Sequence, residues 1–373
     1  MRSLSKSKIL AYRQCPKRLW LELHRADLRD DSGSETAFRI GNEIGAVARL
    51  IYDESGNGVF LDLEELGYEE AFARSAALLH EGGGPVFEAG LKMPGALAFA
   101  DVMLPDTSDG SLRWRLIEVK SAAGVKDYYR EDIAVQAYVA EGAGVPLAAV
   151  ALAHVDSRFV YKGEGDYRGL LREVDFTEET ASRRGEVASW LSGAQEVAAS
   201  ETEPDVAVGE HCSAPFVCPF NHDCHQDRES ADYPLSSLPN FSGRRRLAVE
   251  ALGIRDLREV PDEYLTPTQL WVRDVTRSGE TWLDAEGAAA DLAGYGFPVR
   301  FLDFESVMLA VPVWKGRRPY EQIPFQFSLH RRDEDGTLAH EAFLDLSGDD
   351  PSGALTRELL AGCGESGPVF AYN

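Results

Sequence analysis

The sequence predicts an α/β protein: a domain built on a central mixed sheet, then a helical connector, then the opening of a second α/β domain. Helical periodicity and strand-type runs alternate along residues 4–199 in the order α-β-β-β-α-β, as a sheet covered by helices requires. Of the 373 residues, 44% are hydrophobic and 27% charged, enough to supply a core and enough to exclude a wholly disordered or collagen-like chain. Between 229 and 297 the pattern breaks at Pro234 and Pro239, and strand-like alternation returns after Phe297.

The periodicity predicts a helix over 4–25, with Leu4, Ile9, Tyr12, Leu19, Trp20 and Leu23 apolar, and further helices over 36–51 and 66–81. Strand-type segments follow at 85–92, 97–104 and 113–120, separated by turns rich in Pro, Gly and Asp. Residues 128–142 read as a helix, 147–155 as a buried strand and 177–199 as a long helix, after which a cysteine-bearing loop closes the domain near 228. The connector, 229–297, holds a helical stretch over Ala248–Arg258. Beyond it come strands around Pro298–Glu305, Ile323–His330 and Ala339–Leu344, a helix at 354–362 and a last buried strand toward Tyr372-Asn373. A core cannot close there, so the second domain, 298–373, is expected to be incomplete and the sequence to belong to a longer protein.

Net charge is −24, which opposes non-specific attraction to nucleic acid or anionic membrane. Its distribution is uneven: residues 1–25 carry Arg2, Lys6, Lys8, Arg13, Lys17, Arg18 and Arg25 against Glu22 alone. Such an arm on an acidic body reads either as a solvated helix face or as a guide for a polyanion, with Lys6, Lys8, Arg13, Lys17 and Arg18 as candidate DNA contacts. No run reaches the ~18–20 apolar residues of a membrane span and no secretory signal opens the chain, so a cytoplasmic protein without a membrane partner is expected.

Three of five cysteines fall in Cys212-x5-Cys218-x5-Cys224, whose small and proline-bearing spacers let one loop turn its thiols toward a common point. His211, His222 and His225 flank them and leave a Cys/His zinc site open. Cys363 has no assigned role. A second constellation is Asp101 with Glu118-Val119-Lys120. Glu118 and Lys120 lie two apart on a strand and share a face, where two carboxylates can hold a hard divalent ion and a lysine can neutralise a phosphoryl oxygen or position an attacking water. Asp132 and Gln136 lie one turn apart on the next helix, and a glutamine among Ile133, Ala134, Val135 and Ala137 needs a hydrogen bond if it is buried. Asp303-Phe304-Glu305 repeats the alternating-acid pattern in the second domain, although Asp62-Leu63-Glu64 shows how weak that spacing is alone.

Residues 1–226 resemble the RecB-type branch of the PD-(D/E)xK nucleases, most closely its iron–sulfur members, the CRISPR-associated exonucleases and the AddB nuclease domain. The resemblance implies a restriction-endonuclease-like core and a [4Fe–4S] cluster on Cys15 (in Tyr-Arg-Gln-Cys-Pro-Lys-Arg-Leu-Trp), Cys212, Cys218 and Cys224. It implies Mg²⁺ or Mn²⁺ on Asp101, Glu118 and the Val119 carbonyl, with Lys120 and Gln136 completing the catalytic set. Where that family often carries a metal-binding histidine, this chain has Gly45, with Glu43 nearby as the substitute. Phe301–Leu344 resembles a bacterial family of DEDD-type, RNase H-like exonuclease domains, which implies Asp303 and Glu305 as metal candidates and Tyr372-Asn373 as the approach to a second acidic motif. The expected function is therefore metal-dependent DNA cleavage, with DNA and a repair or defence complex as partners. The alternative is a non-catalytic, metal-stapled module that binds nucleic acid or assembles a complex, in which Glu118–Lys120 is only a salt bridge.

Overall fold

Pro16 divides the helix predicted over 4–25. A residue before proline is driven out of the helical region, and Cys15 takes φ −164°, ψ 122°. The computed structural model, which describes residues 2–30, 35–224 and 231–371, therefore begins with a short strand β1 (Leu4–Ser5) and two helices, α1 (Lys6–Gln14) and α2 (Pro16–His24). The Ser5 side chain caps α1 by accepting from the Lys8 amide. Next come α3 (Glu35–Tyr52), β2 (Val59–Phe60) and α4 (Leu63–Glu81), the last capped by Asp62 and broken at Gly67, where φ is 70°. The sheet strands β3 (Val86–Met93), β4 (Ala96–Asp106) and β5 (Arg113–Lys120) lead into α5 (Asp127–Gly142), β6 (Leu147–Val155) and β7 (Leu171–Asp175). The helix predicted over 177–199 is two, α6 (Thr177–Ser182) and α7 (Arg184–Ala199), parted at Arg183.

These strands make one mixed sheet in the order β2-β3-β4-β5-β6-β7, with β1 added beside β4. β3, β4 and β5 are antiparallel, while β5–β6 is parallel. Its largest core cluster joins the sheet to the apolar face of α5, with Ile133, Val135, Val139, Leu116 and Trp114 all fully buried. The Trp114 indole N–H finds the Leu79 carbonyl at 3.0 Å, so the ring is buried without an orphaned donor.

The chain forms two compact units that are interleaved in sequence: Met1–Val206 with Asp303–Ser328 and Glu341–Gly362, and Ala207–Leu302 with Leu329–His340 and Cys363–Asn373. In the first, Ala310 joins Ile44, Val47, Val155 and Leu170 in a small cluster. Tyr161 and the 316–317 turn exchange backbone hydrogen bonds at 2.7 and 3.0 Å. The second unit holds α8 (Asn221–Cys224), α9 (Gly243–Ala251), α10 (Pro267–Ser278) and α11 (Ala285–Leu292). Leu235, Leu238, Phe241, Val249, Leu257 and Val260 form its core. Here the sequence reading misplaces a helix: the one expected over Ala248–Arg258 is α9, which stops before Gly253, at φ 81°. Helix α10, opened by a capping box between Thr266 and Gln269, was not anticipated.

Strands β8 (Val299–Met308), β9 (Gln322–Arg332) and β10 (Leu338–Leu344), helix α12 (Ser352–Cys363) and strand β11 (Val369–Ala371) complete the chain, the strands forming a sheet in the order β10-β9-β8-β11. β11 is not the buried strand the sequence suggests, since Val369 and Ala371 are exposed. No described helix is long and apolar enough to cross a membrane.

Gly193 in α7 faces Tyr12 of α1, and a Cβ there would overlap the phenol oxygen. Gly193→Ala is expected to destabilise the chain by ~1–3 kcal/mol through overpacking, read as a lower urea midpoint. Combining it with Tyr12→Phe should recover part of that loss.

Candidate active site

The site lies where β5 parts from β4. The β4–β5 ladder runs from Asp106↔Arg113 to Val102↔Ile117 and stops, while the far end of β4 is taken up by β1 at Leu4↔Ala96 and Ser5↔Leu97. Between these pairings the edge of β4 opposite β3 has no strand partner, and side chains bridge it. Asp101 Oδ2 accepts the Val119 amide at 2.6 Å. This links the first acid of the set to the strand that carries the other two members. At the end of β5, the Tyr320 hydroxyl donates to the Ser121 carbonyl, holding the residue after Lys120.

Glu118 is 2% exposed, a burial that demands compensation for its charge. Its Oε1 accepts from Lys120 Nζ at 2.7 Å and from Lys6 Nζ at 2.9 Å. Asp132, presented by α5, stands on the other side of both lysines: Oδ2 accepts from Lys120, and Oδ1 lies 2.9 Å from Lys6 Nζ, at ion-pair distance though not in hydrogen-bond geometry. The four side chains close a ring of alternating charge. Gln136, fully buried one turn beyond Asp132, has a partner at each polar atom: its amide N–H donates to the Phe99 carbonyl at 2.6 Å and its Oε1 accepts from Lys6 at 3.3 Å. The hydrogen bonding that a glutamine in this apolar stretch required is present.

Charge coupling extends to Glu88. The Met93↔Ala96 hairpin register pairs Phe87 with Val102 and Ala89 with Ala100, placing Glu88 across from Asp101. Glu88 holds φ at 56°, strained for a residue with a side chain and foreign to a strand interior. Burial, then the negative charge of Glu118, pushes its carboxyl up to about 7, against the opposing pull of Arg49 and Lys6. Burial, then Glu118 and Glu88, holds Asp101 well above the usual carboxylate range. Burial pushes Asp132 the same way, but Lys6 and Lys120 outweigh it and hold the group low. Burial also works against the charged forms of both lysines, yet Asp132 and Glu118 keep Lys6 and Lys120 protonated far into the alkaline range.

Among the described residues no three His, Cys, Asp or Glu side chains form a ready-made metal cage. The donor chemistry nonetheless suits a hard ion that takes one or two carboxylates and fills its remaining positions with water, backbone and substrate oxygen. Glu118 Oε2 is a buried carboxylate oxygen with no hydrogen-bond partner, and burial, then the charge of Glu118, raises the neighbouring Asp101 carboxyl. Val119 contributes its N–H to Asp101. Glu43 is an exposed side chain of α3, and the α3 charge that reaches the acids is that of Arg49.

The N-terminal basic residues are engaged in ion pairs. Lys8 and Arg18 meet Glu22 at 2.8 and 2.9 Å, Arg13 meets Glu131 at 2.9 Å, and Lys17 meets Glu203 at 2.6 Å. Cys15 is buried at the N-cap of α2. In the other unit, Cys212 and Cys218 are buried and joined by a 2.8 Å bond from the Cys218 amide to the Cys212 carbonyl, with Cys224 half-buried. All five cysteines lie outside any disulfide. His211 and His222 flank them, whereas His225 lies outside the described residues. Asp303 and Glu305 are exposed on β8, and Tyr372-Asn373 lies outside the described residues.

Sequence reasoning missed Lys6 and Glu88 as members of this cluster. Glu88 was accessible: a tight Pro94-Gly95 turn fixes the hairpin register, and counting back places it opposite Asp101. Gln136→Leu should cost ~1–3 kcal/mol, because it strips a partner from the buried Phe99 carbonyl and from Lys6; equilibrium denaturation measures it, and a neutral result would contradict the hydrogen bonding described.

A family model described as a domain of unknown function (DUF2779) matches residues 300–373. No curated protein matches the chain.

Proposed function

We propose that the chain is a metal-dependent DNA nuclease of the PD-(D/E)xK type, its active site formed by Asp101, Glu118, Lys120 and Gln136 at the β4–β5 fork. One observation carries this reading: a buried glutamate on a strand end, one oxygen shared between lysines and the other unpartnered, beside a second acid whose side chain bonds the same strand. A purely structural salt bridge has no need of an orphaned carboxylate oxygen in a buried site. In the reaction, water adds across a phosphodiester P–O bond to give a phosphate monoester and a free hydroxyl. Asp101 and Glu118 would hold Mg²⁺ or Mn²⁺, which would supply positive charge to the phosphoryl oxygens and lower the pKa of a bound water. Lys120, kept protonated by its two carboxylates, presents a fixed positive charge where negative charge develops. Gln136, from a buried helix face, accepts from Lys6, which in turn bonds Glu118.

The competing reading, a non-catalytic binding or assembly module, is favoured by the close Lys120–Glu118 pair, 2.7 Å apart. The two separate experimentally. Asp101→Ala, Glu118→Ala and Lys120→Ala should each lower cleavage by at least ~10²-fold, the scale for losing one preorganised electrostatic group. Cleavage by homogeneous protein that survives all three changes would place the activity elsewhere and favour the binding module.

A [4Fe–4S] cluster on Cys15, Cys212, Cys218 and Cys224 is part of the same proposal, supported by four cysteines outside any disulfide and by the single loop that carries three of them. Anaerobically purified protein should contain about four iron and about four sulfide per chain, lost in any of the four Cys→Ser variants. Stoichiometric zinc without sulfide would favour the Cys/His site instead.

A further inference from the structure

We propose that Lys6 is a positioning residue of this active site, closing with Asp132 the ring that holds Glu118 and Lys120 at the β4–β5 fork. The inference rests on the nuclease reading above and adds to it a residue from the chain's first helix, 112 positions from Glu118.

The placement of Lys6 is fixed from several sides. Leu4 and Ser5 pair with β4, and Ser5 caps the helix on which Lys6 is the first residue. The Gln195 side chain clamps the strand before it, accepting from the Arg2 amide at 3.2 Å and donating to the Arg2 and Gly95 carbonyls at 2.6 and 2.8 Å. Three oxygens surround the ammonium: it donates to Glu118 at 2.9 Å and Gln136 at 3.3 Å, and Asp132 lies 2.9 Å away as an ion-pair partner. Lys8, two residues on, points elsewhere and pairs with Glu22.

Charge balance gives this arrangement a consequence. Without Lys6, two buried carboxylates would compete for the single ammonium of Lys120. With it, each carboxylate is shared between two cations, so neither carboxylate draws Lys120 out of line. Removing the Lys6 charge should therefore act in two directions. The acids become more attractive to a divalent ion, while Glu118, Lys120 and Gln136 lose the group that aligns them. A lysine that merely filled space would produce neither effect.

The test uses the full chain, with Mn²⁺ binding read from the loss of the free Mn²⁺ resonance and cleavage of labelled DNA read under single-turnover conditions. Lys6→Met should bind Mn²⁺ at least about threefold more tightly, as loss of a nearby like charge requires, yet cleave at least about tenfold more slowly, as misalignment of a reacting group does. Asp132→Asn, which leaves Lys6 in place with one carboxylate fewer, should bind Mn²⁺ at least about threefold more weakly and also cleave more slowly. Wild-type protein that cleaves DNA, alongside a Lys6→Met variant unchanged in both readouts, would overturn the role of Lys6 and leave the nuclease reading standing. An Asp132→Asn variant that binds Mn²⁺ as tightly as wild type would likewise overturn that role. Absence of metal-dependent cleavage by the wild type would overturn the nuclease reading itself.

Discussion

Glu118 carries a carboxylate with almost no access to water, and the surrounding structure answers the problem that this burial creates. An isolated buried charge is prohibitively unfavourable, and a buried pair remains so unless its other hydrogen-bonding capacity is met. Here the answer comes from three elements: Lys120 from the same strand, Lys6 from the first helix, Asp132 and Gln136 from α5. The departure of β5 from β4 opens the space in which these groups meet, and Asp101 spans it by bonding the Val119 amide. One oxygen of Glu118 is left over. The proposed divalent ion would supply the positive charge that this oxygen otherwise lacks.

The neighbouring acids are under related constraint. Glu88, Asp101 and Glu118 repel one another, which is why burial and mutual repulsion together raise Asp101 and Glu88. Groups displaced in this way gather where proteins bind cations or move protons. The strained backbone at Glu88 is consistent with a side chain held in place by its surroundings rather than by strand geometry.

Much of the sheet and its helices was legible, because segments such as the short apolar run 147–155 and the longer stretch 128–142 lie in the core and are separated by Gly- and Pro-bearing turns. Asp101, Glu118, Lys120 and Gln136 were legible through spacing and context. Lys6 was not: in sequence it belongs to a basic stretch that reads as a solvated arm, and only β1 pairing brings it beside Gln136. Of the arm's other charges, Arg18 meets Glu22 at the local i,i+4 spacing, whereas Lys8, Arg13 and Lys17 meet Glu22, Glu131 and Glu203 at separations no local pattern connects. Short elements such as β2 and β7 escaped because two to five residues carry too little periodicity. The break of the first helix at Cys15 was written in Pro16 and was overridden by the apolar spacing on either side.

The most direct measurement is cleavage of labelled single- and double-stranded DNA by homogeneous protein with Mg²⁺, with Mn²⁺ and with EDTA. The account predicts phosphodiester hydrolysis in either metal, abolished by the chelator and restored when the ion is returned. Protein that is folded and metal-replete yet leaves both substrates intact, or that cleaves them equally well in EDTA, would contradict it.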